Sequence, residues 1–263
     1  MYAFTKTNEE ALNTSSHTEM EFNGAIFDRE LTDVNGGFRT LLVEGRAISS
    51  YSVETVNASG SHGGILGSRF LNPRIITVTY KLWDATNEGF RRRYEKLNML
   101  LIESEKKLRF TDDAYHYFIA SFSDGDSPEE DSNEVISTLT FICHDPVKYT
   151  EPLAQKNVVK VQVNALLPSS PVVEVMLNNG VNEFKLTNTT TGKIIHMKST
   201  VSFSPSTAVR IDTRNWSISQ NGIDRMRDLV ITSDLEDFKV KRDDVLALSV
   251  PGYVNITVEG VAL

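Results

Sequence analysis

The clearest strand pattern in the chain is IITVTYKL, which runs from Ile75 to Leu82. Apolar or aromatic side chains at every second position alternate with threonines and a lysine. A period of two places the apolar side chains on one face of an extended segment and the polar ones on the other. The pattern therefore predicts a strand that buries one face.

The same period continues on both sides of this strand. Short alternating runs separated by turn residues extend from Phe22 to Val56, and others extend from Leu108 to Phe141. Between them, Ser59 to Ser68 (SGSHGGILGS) is too rich in glycine for regular structure and predicts a long loop. We therefore expect the N-terminal half to be rich in β-strands.

One helix interrupts this pattern. Apolar residues recur at steps of four, three and four from Phe90 to Leu101, which places them on one helical face. Thr86 is suited to cap the N-terminus, because its hydroxyl can accept a backbone N–H. We predict this helix at about residues 86–105.

A proline marks the expected domain boundary. Asp145-Pro146 ends the last alternating run of the first half, because proline donates no backbone hydrogen bond and restricts the residue before it. We predict domains at residues 1–146 and 147–263. The second half carries short strand patterns between turns, Val158–Val163 and Asp228–Thr232 among them, which is typical of a jelly-roll β-sandwich. The predicted fold class is mainly β, with an N-terminal β-sandwich or barrel-like domain that holds the helix.

Composition narrows the classes of function. Of 263 residues, 40% are hydrophobic and 24% are charged, as in ordinary folded proteins. Lys and Arg number 27 against 35 Asp and Glu, for a net charge of −8, whereas a nucleic-acid binder needs clustered basic residues. No run approaches the ~18 apolar residues of a membrane helix, and the polar N-terminus lacks a signal pattern. We expect no DNA-binding surface, no membrane insertion and no secretion.

The sequence contains no motif for catalysis or metal binding. Cys143 stands alone in an apolar run, which predicts a buried thiol and excludes a cysteine-based zinc site. The acidic segment from Asp124 to Asp131 lacks the glycine and glutamate spacing of a calcium loop and predicts a hairpin tip. The nucleophile motif Gly-X-Ser-X-Gly does not occur. We expect no catalytic residue, no metal and no cofactor, and therefore a protein that is not an enzyme.

A series of short motifs follows in a fixed order through the N-terminal half. They are Leu42–Arg46 (LVEGR), Gly63–Arg69 (GGILGSR), Pro73–Val78 (PRIITV), Phe90–Leu101 (FRRRYEKLNMLL), Lys107–Asp112 (KLRFTD), Tyr115–Ala120 (YHYFIA) and Thr138–Pro146 (TLTFICHDP). In this order and spacing the sequence resembles the distal tail proteins of siphoviruses, the bacteriophages with long non-contractile tails. Met1–Glu21 precede the motifs and form an expected N-terminal extension.

This resemblance implies a structural role. The family is expected to form a hexameric ring through its N-terminal domain, a hub that joins the tail tube to the host-adhesion apparatus and lets DNA pass. The resemblance also implies a galectin-like C-terminal β-sandwich. Implied partners are the tail tube protein, a tail-tip protein and a receptor-binding protein, in a virion whose tail assembles in the host cytoplasm. The acidic net charge suits a conduit, since like charges repel phosphate.

Nine residues within the family motifs are candidates for the ring interface. They are Arg46, Gly63, Gly64, Gly67, Arg69, Arg74, Arg91, Arg92 and Arg93. A closed ring of identical subunits needs heterologous contacts, to which glycine-rich loops and edge strands are suited. The three consecutive arginines have two interpretations: a solvated helix face paired with Glu88 and Glu95, or a contact with carboxylates of a neighbouring subunit.

The C-terminal half supports an alternative function, a carbohydrate-binding module for host cell-wall glycans. Its candidate residue is Trp216, whose ring could stack on a sugar beside the polar residues Arg214 and Asn215. The simpler interpretation, which we favour, places Trp216 in the hydrophobic core.

Overall fold

The computed structural model describes residues 18–57, 60, 62–126 and 132–263. The chain divides into two compact units, Met1–Pro146 and Val147–Leu263. Most of the expected N-terminal extension and the tip of the acidic hairpin therefore lie outside the described residues. Within the described ranges, no helix is both long enough and apolar enough to span a membrane.

The prediction of a mainly β fold is confirmed, and the described part of the N-terminal unit combines strands with two α-helices. Its elements are β1 (Met20–Phe22), β2 (Ala25–Ile26), α1 (Phe27–Glu30), β3 (Gly36–Glu44), β4 (Tyr51–Val56), β5 (Ile65–Leu71), β6 (Arg74–Asp84), α2 (Asn87–Leu101), β7 (Lys106–Phe110), β8 (His116–Gly125) and β9 (Glu134–Cys143).

Most of these strands form one antiparallel sheet in the order β2-β1-β7-β8-β9-β6-β3. The rings of Phe22 in β1 and Phe141 in β9 lie 5.2 Å apart, although three strand spacings of about 4.8 Å separate these two strands along the sheet. The sheet is therefore strongly curved. The curvature closes a core and gives the unit a barrel-like form. The segment expected as an N-terminal extension ends at Glu21, but Met20 and Glu21 belong to β1 and therefore to the sheet.

The predicted helix and its cap are confirmed in α2. The Thr86 hydroxyl accepts a hydrogen bond from a backbone N–H of the first turn at 3.0 Å. Phe90, Leu97 and Leu101 are buried in the core that the helix shares with the sheet. The helix ends at Leu101, before the predicted end at residue 105, where Glu105 has a φ of 53° and cannot continue a right-handed helix.

One charged residue, Arg93, lies on the buried face of α2. Its Nε donates to Asp84 Oδ2 at 2.8 Å, and its other nitrogens donate to the Leu31 carbonyl and to Asp33. Asp84 lies at the end of β6 and also accepts the N–H of Thr86 at 2.8 Å. These bonds join the helix, the sheet and the segment that follows α1.

The same contacts hold the pKa of two carboxyls below their ordinary values. For Asp84 the hydrogen bonds from Thr86 contribute most and Arg93 adds to them, whereas for Asp33 the N–H of Asn35 contributes most and Arg93 comes next. A carboxyl whose pKa is lower in the folded chain stabilises the fold above its unfolded pKa of about 4. This contribution is lost as the pH falls through the folded value.

The C-terminal unit consists of short strands and one 3-10 turn, Met226–Asp228. The strands are β10 (Lys148–Thr150), β11 (Leu153–Gln155), β12 (Val172–Leu177), β13 (Val181–Asn188), β14 (Lys193–Phe203), β15 (Val209–Asp212), β16 (Ser217–Gln220), β17 (Ile223–Asp224), β18 (Leu246–Leu248), β19 (Gly252–Val258) and β20 (Val261–Ala262).

Two sheets of this unit enclose one core and form a β-sandwich. Their strand orders are β11-β19-β12-β15-β16-β17 and β14-β13-β18, while β10 pairs with β20. The core joins side chains of both sheets, such as Val175 and Phe184. The predicted strand Val158–Val163 is wrong: Val158, Val161 and Val163 enter the core, but the backbone forms an isolated bridge and scattered hydrogen bonds in place of a ladder. The predicted strand Asp228–Thr232 is also wrong, since Asp228 ends the 3-10 turn and the residues after it form no ladder.

Replacing Arg93 by methionine should destabilise the N-terminal unit. Methionine donates no hydrogen bond, so Asp84 loses its buried partner. We expect the melting temperature at neutral pH to fall by about 5 °C or more. As the pH falls from about 5 to 2, the melting temperature of the variant should decrease less steeply than that of the wild type. The reason is that the pKa values of Asp84 and Asp33 then lie closer to their unfolded values. Thermal unfolding followed by circular dichroism measures both effects.

The neighbouring substitution Arg92→Met is the matched control. Arg92 is exposed and its Nη2 lies 3.9 Å from Glu88, a geometry that contributes little to stability. Equal losses of melting temperature in the two variants would show that the buried contacts of Arg93 have no special role.

The thiol of Cys143 should be inert in the folded protein. The residue is buried, as its sequence context predicted, and burial raises the pKa of the thiol to about 12. Since the thiolate is the reactive form, we expect no reaction with a thiol-specific disulfide reagent at pH 8. One thiol per chain should react after unfolding in guanidinium chloride. Rapid modification of the native chain would contradict this assignment.

Candidate interaction surfaces

The loop predicted for Ser59–Ser68 is wrong from Ile65 onward, where the glycine-rich segment enters a strand of a hairpin. β4 and β5 pair antiparallel and form a two-stranded sheet of their own among the described residues. Residues 58, 59 and 61 lie outside the described ranges. We call β4, β5 and the described residues between them the arm. The loop prediction fails from Ile65 onward because strand pairing there outweighs the weak strand preference of Gly67.

Apolar side chains are exposed along both strands of the arm. They belong to Tyr51, Val53, Val56, Ile65, Leu66 and Phe70. Ile65 and Leu66 are each 64% exposed, and as neighbours on a strand they point to opposite faces. A two-stranded sheet is marginally stable on its own because it buries little apolar surface. Such a surface is typical of a segment that packs against another chain.

The candidate glycines shape the arm through the backbone. Gly63 has a φ of 81°, in the left-handed region that favours glycine. At Gly64 a Cβ would lie 2.1 Å from the Thr55 methyl group, so the facing strand leaves no space for a side chain. Gly67 lies against the Glu54 carbonyl, where a Cβ would fit at 3.3 Å only with a small shift. Gly64 and Gly67 therefore allow the two strands to approach closely.

Two candidate arginines lie at or near the arm and are partly engaged within the chain. The guanidinium of Arg69 lies 3.8 Å from the centroid of the Tyr51 ring, so the two side chains stack on the arm. Arg46 forms a two-bond ion pair with Asp112 at 2.7 and 2.8 Å and also lies over the Phe110 ring. Both remain candidates for the interface.

Arg74 is buried and has a structural position. Its guanidinium donates to the carbonyls of Gly45, Arg46 and Pro146 and to the hydroxyl of Ser49. These bonds fix the segment from which the arm departs. Because its donors are used within the unit, we remove Arg74 from the candidate interface.

The run of three arginines divides between the surface and the interior. Arg91 and Arg92 are exposed on α2, whereas Arg93 is only 7% exposed and bonded to Asp84. Arg92 and Lys96 border a polar cleft of about 570 Å³. The intersubunit interpretation therefore stays open for Arg91 and Arg92 only.

Trp216 lies on the surface, so the interpretation as a core residue was wrong. Its side chain is 56% exposed and lines a cavity of about 490 Å³. The polar neighbours expected beside it are held by the scaffold: Arg214 pairs with Glu259 at 2.8 Å, and Asn215 donates to Asp212 at 3.0 Å. The residues that do accompany Trp216 come from a distant segment, 226–237.

The sequence patterns do not predict two groups of surface residues. The apolar residues of the arm carry a strand signal in YSVETV, but an alternating pattern does not show whether a partner strand or layer covers them. The acidic residues beside Trp216 are Asp234, Glu236 and Asp237. Only tertiary structure brings them to this tryptophan, and no local motif marks them.

Two family models match the chain, one in each unit. The phage tail protein RIFT-related domain matches residues 28–143, and the siphovirus-type tail component C-terminal domain matches residues 164–258. The chain is 26% identical to the distal tail protein of Bacillus phage SPP1 over 239 residues. This alignment covers 87% of this chain and 92% of that relative.

Solved structures share the fold. The crystal structure of SPP1 Dit matches with a TM-score of 0.80 at 20% identity, over 94% of this chain and 99% of that one. A chain of the phage P2 baseplate in its activated conformation with Ca matches with a TM-score of 0.52 at 9% identity, over 94% and 98% of the two chains. Family models of siphovirus tail proteins match both units, a distal tail protein is similar over most of the chain, and the fold is shared with SPP1 Dit. The chain therefore belongs to the siphovirus distal tail protein family.

Proposed function

We propose that this protein is the hub of a phage tail tip, where six copies form a ring that joins the tail tube to the host-adhesion apparatus. The ring lets DNA pass and has no enzymatic activity. This proposal places the chain in the virion after assembly in the host cytoplasm. It is supported by the family and by the similarity to SPP1 Dit, a paradigm of the hub adsorption apparatus in phages that infect Gram-positive bacteria.

The observation that carries the proposal is the arm. Its strands Tyr51–Val56 and Ile65–Leu71 pair with each other alone among the described residues, and exposed apolar side chains occur along both. An adjacent subunit that covers the arm would bury this surface and stabilise the hairpin. Because the arm of one copy would meet a different surface of the next, the contact is heterologous, and repetition with a closing rotation gives a ring.

Charge on the helix offers a second contact. Arg91 and Arg92 are exposed on α2 in a chain with a net charge of −8. An acidic neighbour of the same sequence supplies carboxylates for these two cations. Contacts of this kind set the orientation of subunits more than they set affinity.

The remaining parts of the proposal concern neighbours and DNA. The similarity to a chain of the phage P2 baseplate supports assembly with other baseplate components. The partners that we propose are the tail tube protein, a tail-tip protein and a receptor-binding protein. The acidic net charge supports a passage that does not retain DNA, because like charges repel phosphate. An imaged ring with a strongly basic bore would contradict this part.

Light scattering behind a sizing column tests the ring and the role of the arm together. For the full chain we expect a mass of about 176 kDa, six times 29.4 kDa. In the double variant Leu66→Glu and Phe70→Glu, charges replace apolar side chains that the neighbour should bury, so the mass should fall to that of one chain at 29.4 kDa.

The matched control is Val201→Glu, which places a charge on an exposed apolar residue outside the arm. It should leave the mass unchanged, and circular dichroism should show all chains folded. A wild-type chain that stays monomeric at every concentration would contradict self-assembly. A ring that survives both arm substitutions would exclude the arm as the interface.

Charge reversal tests the arginines. The double variant Arg91→Glu and Arg92→Glu should weaken the ring about tenfold or more, because it sets like charges against the acidic neighbour. Dissociation on dilution, followed by mass photometry, measures this effect. The charge-matched control is Lys156→Glu with Lys239→Glu, two exposed lysines of the C-terminal unit. Equal weakening by both pairs would indicate an effect of net charge alone.

A further inference from the structure

The C-terminal unit contains a cavity that the proposed hub function does not use. Its volume is about 490 Å³, within the range of about 300–1,000 Å³ that small-molecule sites occupy. Trp216 lies on one side, and the apolar side chains of Met226, Leu229 and Leu235 form part of the lining. The cavity therefore combines an exposed aromatic ring with apolar walls.

The backbone of Trp216 is held in an unfavourable conformation. Its φ is 50°, in the left-handed region where a bulky residue is rare. The turn that precedes it is fixed by Asp212, whose carboxylate accepts the N–H groups of Arg214 and Asn215 at 3.0 and 2.9 Å. Glycine or asparagine would fit this position with less strain. A strained aromatic residue beside a cavity is an observation that points to function.

Three carboxylates complete the lining, and two of them have fixed positions. Asp234 accepts hydrogen bonds from the Lys193 ammonium and from the N–H of Ile194, each at 3.0 Å. Asp237 accepts a hydrogen bond from the same ammonium at 3.3 Å. Glu236 is exposed between them. The contact with Lys193 leaves unused lone pairs on the oxygens of both aspartates. The cavity therefore presents hydrogen-bond acceptors, two of which are held in place by the fold.

We propose that this cavity binds a neutral saccharide, with the sugar ring stacked on Trp216 and its hydroxyl groups donating to Asp234, Glu236 and Asp237. The face of a sugar ring carries C–H groups that pack on an indole, and its edge carries O–H donors. Both halves of this chemistry are present at the cavity. The inference goes beyond the hub function and does not depend on ring formation.

The local charge favours a neutral ligand over an ionic one. Lys193 compensates one of the two charges of Asp234 and Asp237, which weakens the attraction of the site for a cationic ligand. The acidic rim repels phosphate and carboxylate groups. Hydroxyl groups donate to carboxylates without bringing a charge of their own into the cavity.

Calorimetric titration of the full-length chain tests the proposal. The probes are glucose, galactose and N-acetylglucosamine with their disaccharides, at millimolar concentrations, compared with glucose 6-phosphate and a trilysine peptide. We expect at least one neutral saccharide to bind and to shift the tryptophan fluorescence. The phosphorylated sugar should bind more weakly than its neutral counterpart.

Substitutions locate the binding. Trp216→Asn removes the indole but tolerates the left-handed backbone, and it should weaken binding at least about tenfold. Glu236→Ala should weaken it several-fold. Tyr253→Ser, at another exposed aromatic residue of the same unit that does not line the cavity, is the matched control and should bind like the wild type. The mass in solution should be the same for all of them.

Three results would overturn the inference. The first is the absence of binding by every neutral saccharide of the panel. The second is binding that Trp216→Asn and Glu236→Ala leave unchanged. The third is tighter binding of trilysine than of any saccharide, which would assign the cavity to a basic segment of a partner protein. A wild-type chain that does not form the ring in solution would contradict the hub proposal and leave this inference intact.

Discussion

The pairing of β6 with its two neighbours is the constraint on which the N-terminal unit depends. β6 takes β3 on one side and β9 on the other, and α2 packs on its apolar face. A buried cation, Arg74, begins the strand, and a buried anion, Asp84, ends it. Arg74 fixes the base of the arm and Asp84 fixes Arg93 of the helix. A shift of register by one residue would turn the apolar face outward and separate both ions from their partners.

The two units present surfaces of different chemistry. The arm of the N-terminal unit offers exposed apolar side chains on a thin hairpin, a surface suited to burial by a large and complementary protein partner. The cavity beside Trp216 in the C-terminal unit is concave and lined by acceptors around one aromatic ring, which suits a small ligand. Assembly and ligand recognition can thus be altered separately by substitution.

The sequence predicted the features that arise locally, and failed where distant residues decide. The period of two, the helix of α2 and the Thr86 cap follow from neighbouring residues and were predicted correctly. The burial of Arg93 was not predicted, because Asp33 and Leu31 are distant in sequence and only the fold brings them to the guanidinium. Hydrophobicity suggested a buried Trp216, but the turn after Asp212 directs it to the surface.

The left-handed conformation of Trp216 places stability and recognition in opposition at one position. Glycine or asparagine would relieve the backbone strain there, so protein engineering guided by folding free energy alone would replace the indole. A stabilised version of this chain obtained in that way would keep its β-sandwich and lose the aromatic wall of the cavity. Thermostability screens of this protein should therefore hold this turn constant.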